Sequence, residues 1–311
     1  MPELPEVTTT VTGLQKALPR LRITAVWTDL AKETVSRKDF EDTIKSKKFF
    51  MGFTKKILGA TILKVERRAK NILIHLSTGD TMLIHMKMTG HIMIGKYAYD
   101  KKENTWAVHK DERNNNLRDP YNRFIHFVCT LSDGRQLVLC DSRKFAKVTL
   151  FPTSNSAATL HLKNLGPEPL VKEFTIPLFT KALYKKQNGK IKSVLMDPST
   201  IAGIGNIYSD EMLWLADIHP LSVVGSIPPA QIKKLHTAMK VVLNKGIDFG
   251  GDSTSDYRDV AGKKGNFHHA HNVYRRTGNT CGKRGCRGGI LRKVIGGRSA
   301  HFCDTHQILF T

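Results

Sequence analysis

The chain opens Met1-Pro2-Glu3-Leu4-Pro5-Glu6. Pro2 is small, so removal of Met1 is expected and would leave a secondary amine at the chain start. An α-amino group titrates near about 7.7–8.0, so a useful fraction is unprotonated at neutral pH. Such an amine could attack an aldehyde carbon and form an iminium ion. Glu3 lies beside it and could shuttle protons. Without that chemistry, the two glutamates simply suit the first turn of a helix.

A second reactive set lies near the other end. Cys281 and Cys286 have four residues between them, 16 more precede Cys303, and His306 completes Cys303-Asp304-Thr305-His306. Two close ligand pairs around a short hairpin are the spacing of a tetrahedral zinc site with no open position, which makes the expected Zn²⁺ structural, one per chain. The alternative is a chance group of free thiols. The hairpin is predicted over 290–294 and 299–302, turning at Gly296-Gly297. His301 should point away from the metal along a strand. Cys129 and Cys140 sit in apolar strand patterns and read as buried small hydrophobes. Around the cluster the basic residues run from Arg258 to Arg298 with Asp259 as the sole acid counted against them, a charge density suited to phosphate contact.

Two weaker signals remain. Ile201-Ala202-Gly203-Ile204-Gly205-Asn206-Ile207-Tyr208 opens a helix on two glycines, and free backbone N–H groups there make an anion site to which Asn206 could add a donor. Lys70, Met88, Arg143 and Phe145 are scattered, but a flexible apolar chain, an aromatic ring and an Arg could together wedge into a base stack. Core packing is the competing reading for Met88 and Phe145.

These residues need elements to hold them. A helix with Val7, Val11, Leu14 and Leu18 on one face should follow the start. Strands are predicted over 21–27, 60–65, 71–76, 81–86, 124–131 and 136–141, separated by turns at 77–80 and 132–134, which suggests an antiparallel sandwich. The polar stretch 97–118 reads as a long surface loop. Composition changes after about residue 152. Helices are predicted over 179–186, 192–196, 205–216 and 229–245, with Pro229 as a first-turn residue. Residues 249–268 read as a loop.

With 311 residues, two domains are expected. Lys and Arg number 49 against 27 Asp and Glu, a net charge of +22. Such an excess points to a polyanionic partner. No apolar run approaches the roughly 20 residues of a membrane span. Glu3 and Glu6 occupy the place of a secretory apolar segment. Five Cys in a chain of this length are no disulfide framework, so a reducing, cytoplasmic location is expected, with nucleoid association in a prokaryote.

Taken together, Met1-Pro2-Glu3-Leu4-Pro5-Glu6-Val7, Arg67-Arg68-Ala69-Lys70, His85-Met86-Lys87-Met88-Thr89-Gly90, Asp141-Ser142-Arg143-Lys144-Phe145, Gly166-Pro167-Glu168-Pro169-Leu170, 202–208 and the terminal Cys cluster follow the order and rough spacing of the formamidopyrimidine-DNA glycosylases, which the chain resembles from residue 1 to about 306. The resemblance implies an α+β protein: an N-terminal helix with an antiparallel β-sandwich (1–152), a linker (153–170), a helix-two-turn-helix domain (171–268) carrying a lesion loop at 249–267, and a β-hairpin zinc finger (269–311). It implies a monomeric base-excision repair enzyme acting on duplex DNA with oxidised purines or abasic sites.

By the same resemblance Pro2 is the nucleophile, Glu3 the acid/base, and Glu6 and Lys70 further active-site residues. His85, Met88, Arg143, Lys144 and Phe145 face the DNA, with Met88, Arg143 and Phe145 filling the gap left by the everted nucleotide. Asn206 and Arg298 clamp the lesion phosphate. Zn²⁺ is held by Cys281, Cys286, Cys303 and His306. This sequence departs from the family pattern in its widened first Cys pair, in His306, at Arg123-Phe124-Ile125-His126, which has one His fewer, at Arg275, and at Thr254-Ser255 within the lesion loop. The rival readings are an endonuclease VIII-type glycosylase for oxidised pyrimidines, opposed by Leu4 and the long 250–267 loop, and a silent binder of abasic sites, opposed by Pro2, Glu3 and Lys70.

Overall fold

The computed structural model describes residues 1–35, 37–156 and 159–311, which form two compact units. The linker expected over 153–170 includes residues 157 and 158, outside the described set. The first unit comprises 1–163 and 250–266. It contains α1 (Leu4–Ala17), β1 (Ile23–Thr28), α2 (Lys47–Ile57), β2 (Ile62–Arg68), β3 (Asn71–Leu76), β4 (Asp80–His85), β5 (His91–Gly95), β6 (Tyr97–Asp100), β7 (Thr105–Val108), β8 (Ile125–Leu131), β9 (Gln136–Cys140) and β10 (Lys147–Pro152).

Two four-stranded antiparallel sheets, β1-β8-β9-β5 and β10-β4-β3-β2, face each other across one apolar core. Alternation decides which side chains enter it. From β8, Phe127, Cys129 and Leu131 point in; from β3, Ile72, Ile74 and Leu76 do so. Val7, Val11, Leu14 and Leu18 bring α1 into this core, as their spacing predicts, and Phe53 and Ile57 bring in α2, which the sequence reading had not assigned.

The stretch 97–118 is not a loose loop. β6 and β7 pair as a hairpin, with Asn104 left-handed at its turn. Tyr97 and Leu117, with Trp106 and Val108 beside them, cover Met93, Val128, Val138 and Cys140 on the outer face of the first sheet. That face is apolar, so something had to bury it. The aromatic and β-branched residues two apart in this polar stretch were the available signal.

The second unit comprises 164–249 and 267–311 and contains α3 (Ile176–Tyr184), α4 (Ile191–Met196), α5 (Asn206–Leu215), α6 (Pro229–Asp248), β11 (Ile290–Ile295) and β12 (Arg298–Cys303). Pro229 is the first residue of α6, where its missing N–H costs nothing. Ile232, Leu235, Met239, Val242 and Leu243 line its buried stripe, which packs against α3 and α5. The β11–β12 turn is Gly296-Gly297, both left-handed, as a two-residue hairpin requires. Residues 250–266 follow α6 in the chain yet belong by their contacts to the first unit, whereas the resemblance had grouped them with the helices.

Candidate active site and metal centre

In the first unit the candidate residues gather at one end of the sandwich. Glu3 caps α1, and its backbone N–H donates to Glu6 Oε2 at 2.7 Å, closing a capping box. Pro2, Glu3 and Glu6 are all buried. The second oxygen of Glu6 accepts the Asp252 N–H at 2.7 Å, and Tyr257 Oη donates to the Glu6 carbonyl at 3.0 Å. Gly251 at φ +87 lies so close to this carboxylate that a Cβ there would stand 2.9 Å from Glu6 Cγ. One side chain therefore ties the start of α1 to the 250–257 segment. Asp252 and Tyr257 were missed in the sequence, because no local spacing marks a contact across more than 240 residues.

Burial lowers the Met1 α-amino group below its ordinary value; Glu3, Glu6 and Asp252 oppose this and Lys70 reinforces it. Lys70 thus acts on the chain start from the β2–β3 turn, where Ala69 is left-handed. Strand register extends the cluster: Asn71 pairs with His85, and His85 with Lys147, so the Lys70 turn, the end of β4 and the 141–146 loop share one sheet end. Burial drives the His85 imidazole well below its ordinary value, with Lys87 and Lys70 adding to the effect. It is neutral at pH 7, and its Nδ1 accepts the Lys87 N–H at 3.0 Å.

The 141–146 loop is built on buried Asp141, which accepts the backbone N–H of Ala146 at 2.6 Å and of Arg143 at 3.3 Å and is bonded by Thr89 Oγ1. Arg143, Lys144 and Phe145 project outward, with the Arg143 guanidinium 4.6 Å from the Phe145 ring centre. Phe145 is 40% exposed and Met88 half-buried, so neither is a core residue.

Arg258 does not belong to the basic phosphate-facing set. It is buried, paired with both oxygens of Asp119, and donates to the Ser255 and Tyr257 carbonyls. An arginine buried among acceptors holds a loop.

The second unit carries the other half of the candidates. Asn206 is the first residue of α5 and Arg298 the exposed first residue of β12. Buried Asp210, one turn beyond Asn206, accepts from the His301 N–H (2.9 Å), His301 Nδ1 (3.0 Å) and Lys192 Nζ (2.5 Å). The next residue, Glu211, accepts the backbone N–H groups of Asn272, Val273 and Tyr274. Two adjacent acids of α5 thus staple the helix to the hairpin and to the segment leading into it. The sequence shows them only as polar residues in a helix, and their burial was the missing information.

Cys281, Cys286, Cys303 and His306 bring one ligand atom each within 4.8 Å of one another. Cys286 Sγ and Cys303 Sγ are 3.6 Å apart, and Cys281 Sγ and His306 Nδ1 3.3 Å. Tetrahedral Zn–S bonds of about 2.3 Å and Zn–N bonds of about 2.0 Å place ligand atoms roughly 3.5–3.8 Å apart, close to these values. His306 Nε2 donates to the Trp214 carbonyl, which leaves the Nδ1 lone pair for a metal. Trp214 Nε1–H and the Gly288 N–H donate to the Cys281 and Cys286 sulfurs, both at 3.3 Å, as second partners of thiolate ligands do. All four residues are therefore positioned to bind a metal ion. His301 is turned to Asp210, away from the cluster.

Residues 1–148 match the Formamidopyrimidine-DNA glycosylase N-terminal domain, and residues 165–258 the Formamidopyrimidine-DNA glycosylase H2TH domain. The formamidopyrimidine-DNA glycosylase of Pelotomaculum thermopropionicum is 36% identical over 309 residues, covering 99% of each chain. That of Bacillus subtilis is 34% identical over 311 residues, again 99% of each. The chain belongs to the formamidopyrimidine-DNA glycosylase family. Among solved structures, the Lactococcus lactis enzyme bound non-covalently to DNA with an AP site superposes with a TM-score of 0.78 at 28% identity, over 98% of this chain and 99% of that one. The same wild-type enzyme with N7-benzyl-Fapy-dG DNA gives 0.78 at 28%, over 97% and 98%. Among the described residues no helix is long and apolar enough to cross a membrane.

Proposed function

We propose that this chain is a base-excision repair glycosylase that removes oxidised purines from duplex DNA and then cuts the strand as an AP lyase. The glycosylase reading rests on family membership, and the AP-site and Fapy-dG complexes of the Lactococcus lactis enzyme support damaged duplex DNA as the substrate. The observation that carries the lyase reading is the burial of Pro2 beside Glu3 and Glu6, the two carboxylates fixed by the capping box at the start of α1.

With Met1 removed, the Pro2 amine attacks the anomeric carbon of the damaged nucleotide. The glycosidic bond breaks, the base leaves with its electron pair, and cleavage of the C1′–O4′ bond with a proton delivered to O4′ opens the sugar to an iminium. The resulting iminium acidifies the adjacent C2′ proton, so β-elimination and then δ-elimination expel the 3′ and 5′ phosphates. Glu3 moves the protons. Glu6 orients the α1 start, and Lys70 lies near the phosphates. Met88, Arg143 and Phe145 fill the gap left by the everted nucleotide, Arg143 facing the orphaned base, with His85 and Lys144 beside them on the DNA. Asn206 and Arg298 clamp the phosphate. Cys281, Cys286, Cys303 and His306 would hold Zn²⁺, which supplies a structural cross-link when bound.

Borohydride trapping on duplexes containing 8-oxoguanine opposite cytosine, thymine glycol or an abasic site tests this reading. A covalent complex and δ-elimination product on the 8-oxoguanine strand are expected, with none from Pro2→Gly. A preference for thymine glycol would move the protein to the pyrimidine branch, and absence of trapping on every strand would favour a silent binder.

A further inference from the structure

The 141–146 loop is held at its base by Asp141, but its apex has a separate anchorage. Lys144 is left-handed at φ 56, a strained conformation for a residue with a side chain, which persists only where the surroundings over-determine it. Two residues from distant parts of the first unit grip it. Lys45, buried just before α2, donates from Nζ to the Lys144 carbonyl at 2.6 Å. Asp29, just after β1, pairs with Lys144 Nζ at 3.2 Å and is itself fixed by His126 Nδ1 at 2.9 Å.

The Lys45 ammonium also lies 3.8 Å from the Phe40 ring centre. The main chain beside it is fixed, because the Ile44 N–H donates to the Val148 carbonyl of β10 at 3.0 Å. Burial brings Lys45 down to about 8, with Asp141 opposing and Lys147 and Arg37 reinforcing, so it remains largely a cation at neutral pH. Lys45, Asp29 and Lys144 line a cavity of about 180 Å³ behind the loop. A charged donor this deeply buried is costly unless its partners use it. Those seen here are a main-chain carbonyl of the loop and an aromatic face.

We propose that Lys45 and Asp29 are positioning residues for the wedge. By gripping Lys144 at its carbonyl and at its side chain, they hold the left-handed turn that makes Arg143 and Phe145 project together. The inference rests on the wedge role given to Arg143 and Phe145 above. Neither Lys45 nor Asp29 touches the reacting atoms, so their effect should appear where a base must be displaced and fade where none is present.

The test compares single-turnover excision of 8-oxoguanine opposite cytosine with borohydride trapping on a preformed abasic duplex. Lys45→Met keeps the stem and loses the donor. Excision should fall about tenfold and trapping less than about twofold, since everting a paired base costs a few kcal/mol more than everting none. In a Phe145→Ala background, Lys45→Met should add no further loss, because both act through one loop. Asp29→Asn should reproduce the selective loss more weakly and serves if Lys45→Met does not fold. Parallel loss of both activities, no loss in either variant, or full additivity with Phe145→Ala would overturn the positioning role. If Phe145→Ala alone leaves excision intact, the wedge reading itself fails, and that result is distinguishable because it does not involve Lys45.

Discussion

The start of α1 and the β11–β12 hairpin solve the same problem on different foundations. Both must hold charged or reactive groups still, and both do so with buried carboxylates: Glu6 at the chain start, Asp210 and Glu211 behind the hairpin. The foundations differ. α1 rests on an apolar core fed by two sheets and two helices. The hairpin buries Ile290 and Ile295 of β11 and Ala300, Phe302 and Cys303 of β12, leaves Val294 64% exposed, and shares a small cluster with Trp214, Val273 and Cys281. Where apolar burial is ample, hydrogen bonds need only orient. Where it is scant, a metal cross-link is expected to replace it.

The sharpest way to break this contrast is at the metal ligands. Cys303→Ala should abolish metal binding and unfold the hairpin, since structural zinc contributes on the order of 10 kcal/mol. Elemental analysis should find about one equivalent in the parent and none in the variant. A metal-free protein with unchanged hairpin amide protection and DNA affinity would refute the cross-link.

Leu14→Ala should do the opposite. It opens a cavity in the large core and should cost about 2–5 kcal/mol in urea unfolding, with metal content unchanged. A loss below about 1 kcal/mol would mean the core does not carry α1.

A third effect depends on pH. Burial pushes His91 down to about 4, with its bond to Asn122 opposing. The folded protein therefore binds fewer protons than the unfolded chain between that value and the ordinary one. Stability from this residue is complete above about pH 6.5 and is lost as pH falls towards 4, by about 2 kcal/mol between pH 7 and pH 5. Urea midpoints across that range check it, and His91→Gln should flatten the change.

The smallest effect has the reverse sign. Gly52 sits inside α2 with nothing within 4 Å of a Cβ, so Gly52→Ala should stabilise the first unit by about 0.5–1 kcal/mol. A destabilised variant would show that the glycine is needed where it stands.

Much of this was legible because it is local. The α1 stripe, most strands, Pro229 at the start of α6, the Gly296-Gly297 turn and the four metal ligands all follow from spacing within a few residues. The misses share a cause. The β6–β7 hairpin is required by the apolar outer face of a sheet whose strands lie both before and after it in the chain. Arg258 reads as a phosphate contact until Asp119, far away in sequence, is seen to bury it. Segment 250–266 joins the first unit through Glu6 and α1, partners nearly a whole chain length away. Asp210 and Glu211 look like solvent-facing acids until α5 is known to be enclosed.

The Glu6 bridge has one more consequence. Its two oxygens bond to the main chain of residues 3 and 252, not to their side chains. Such an anchor makes no use of the side chains of residues 3 and 252, although it leaves no room for one at residue 251. Residues 254–256 can therefore vary while the segment keeps its attachment, whereas Ser253 is held by its own bonds to the Tyr257 carbonyl and the Gly265 N–H.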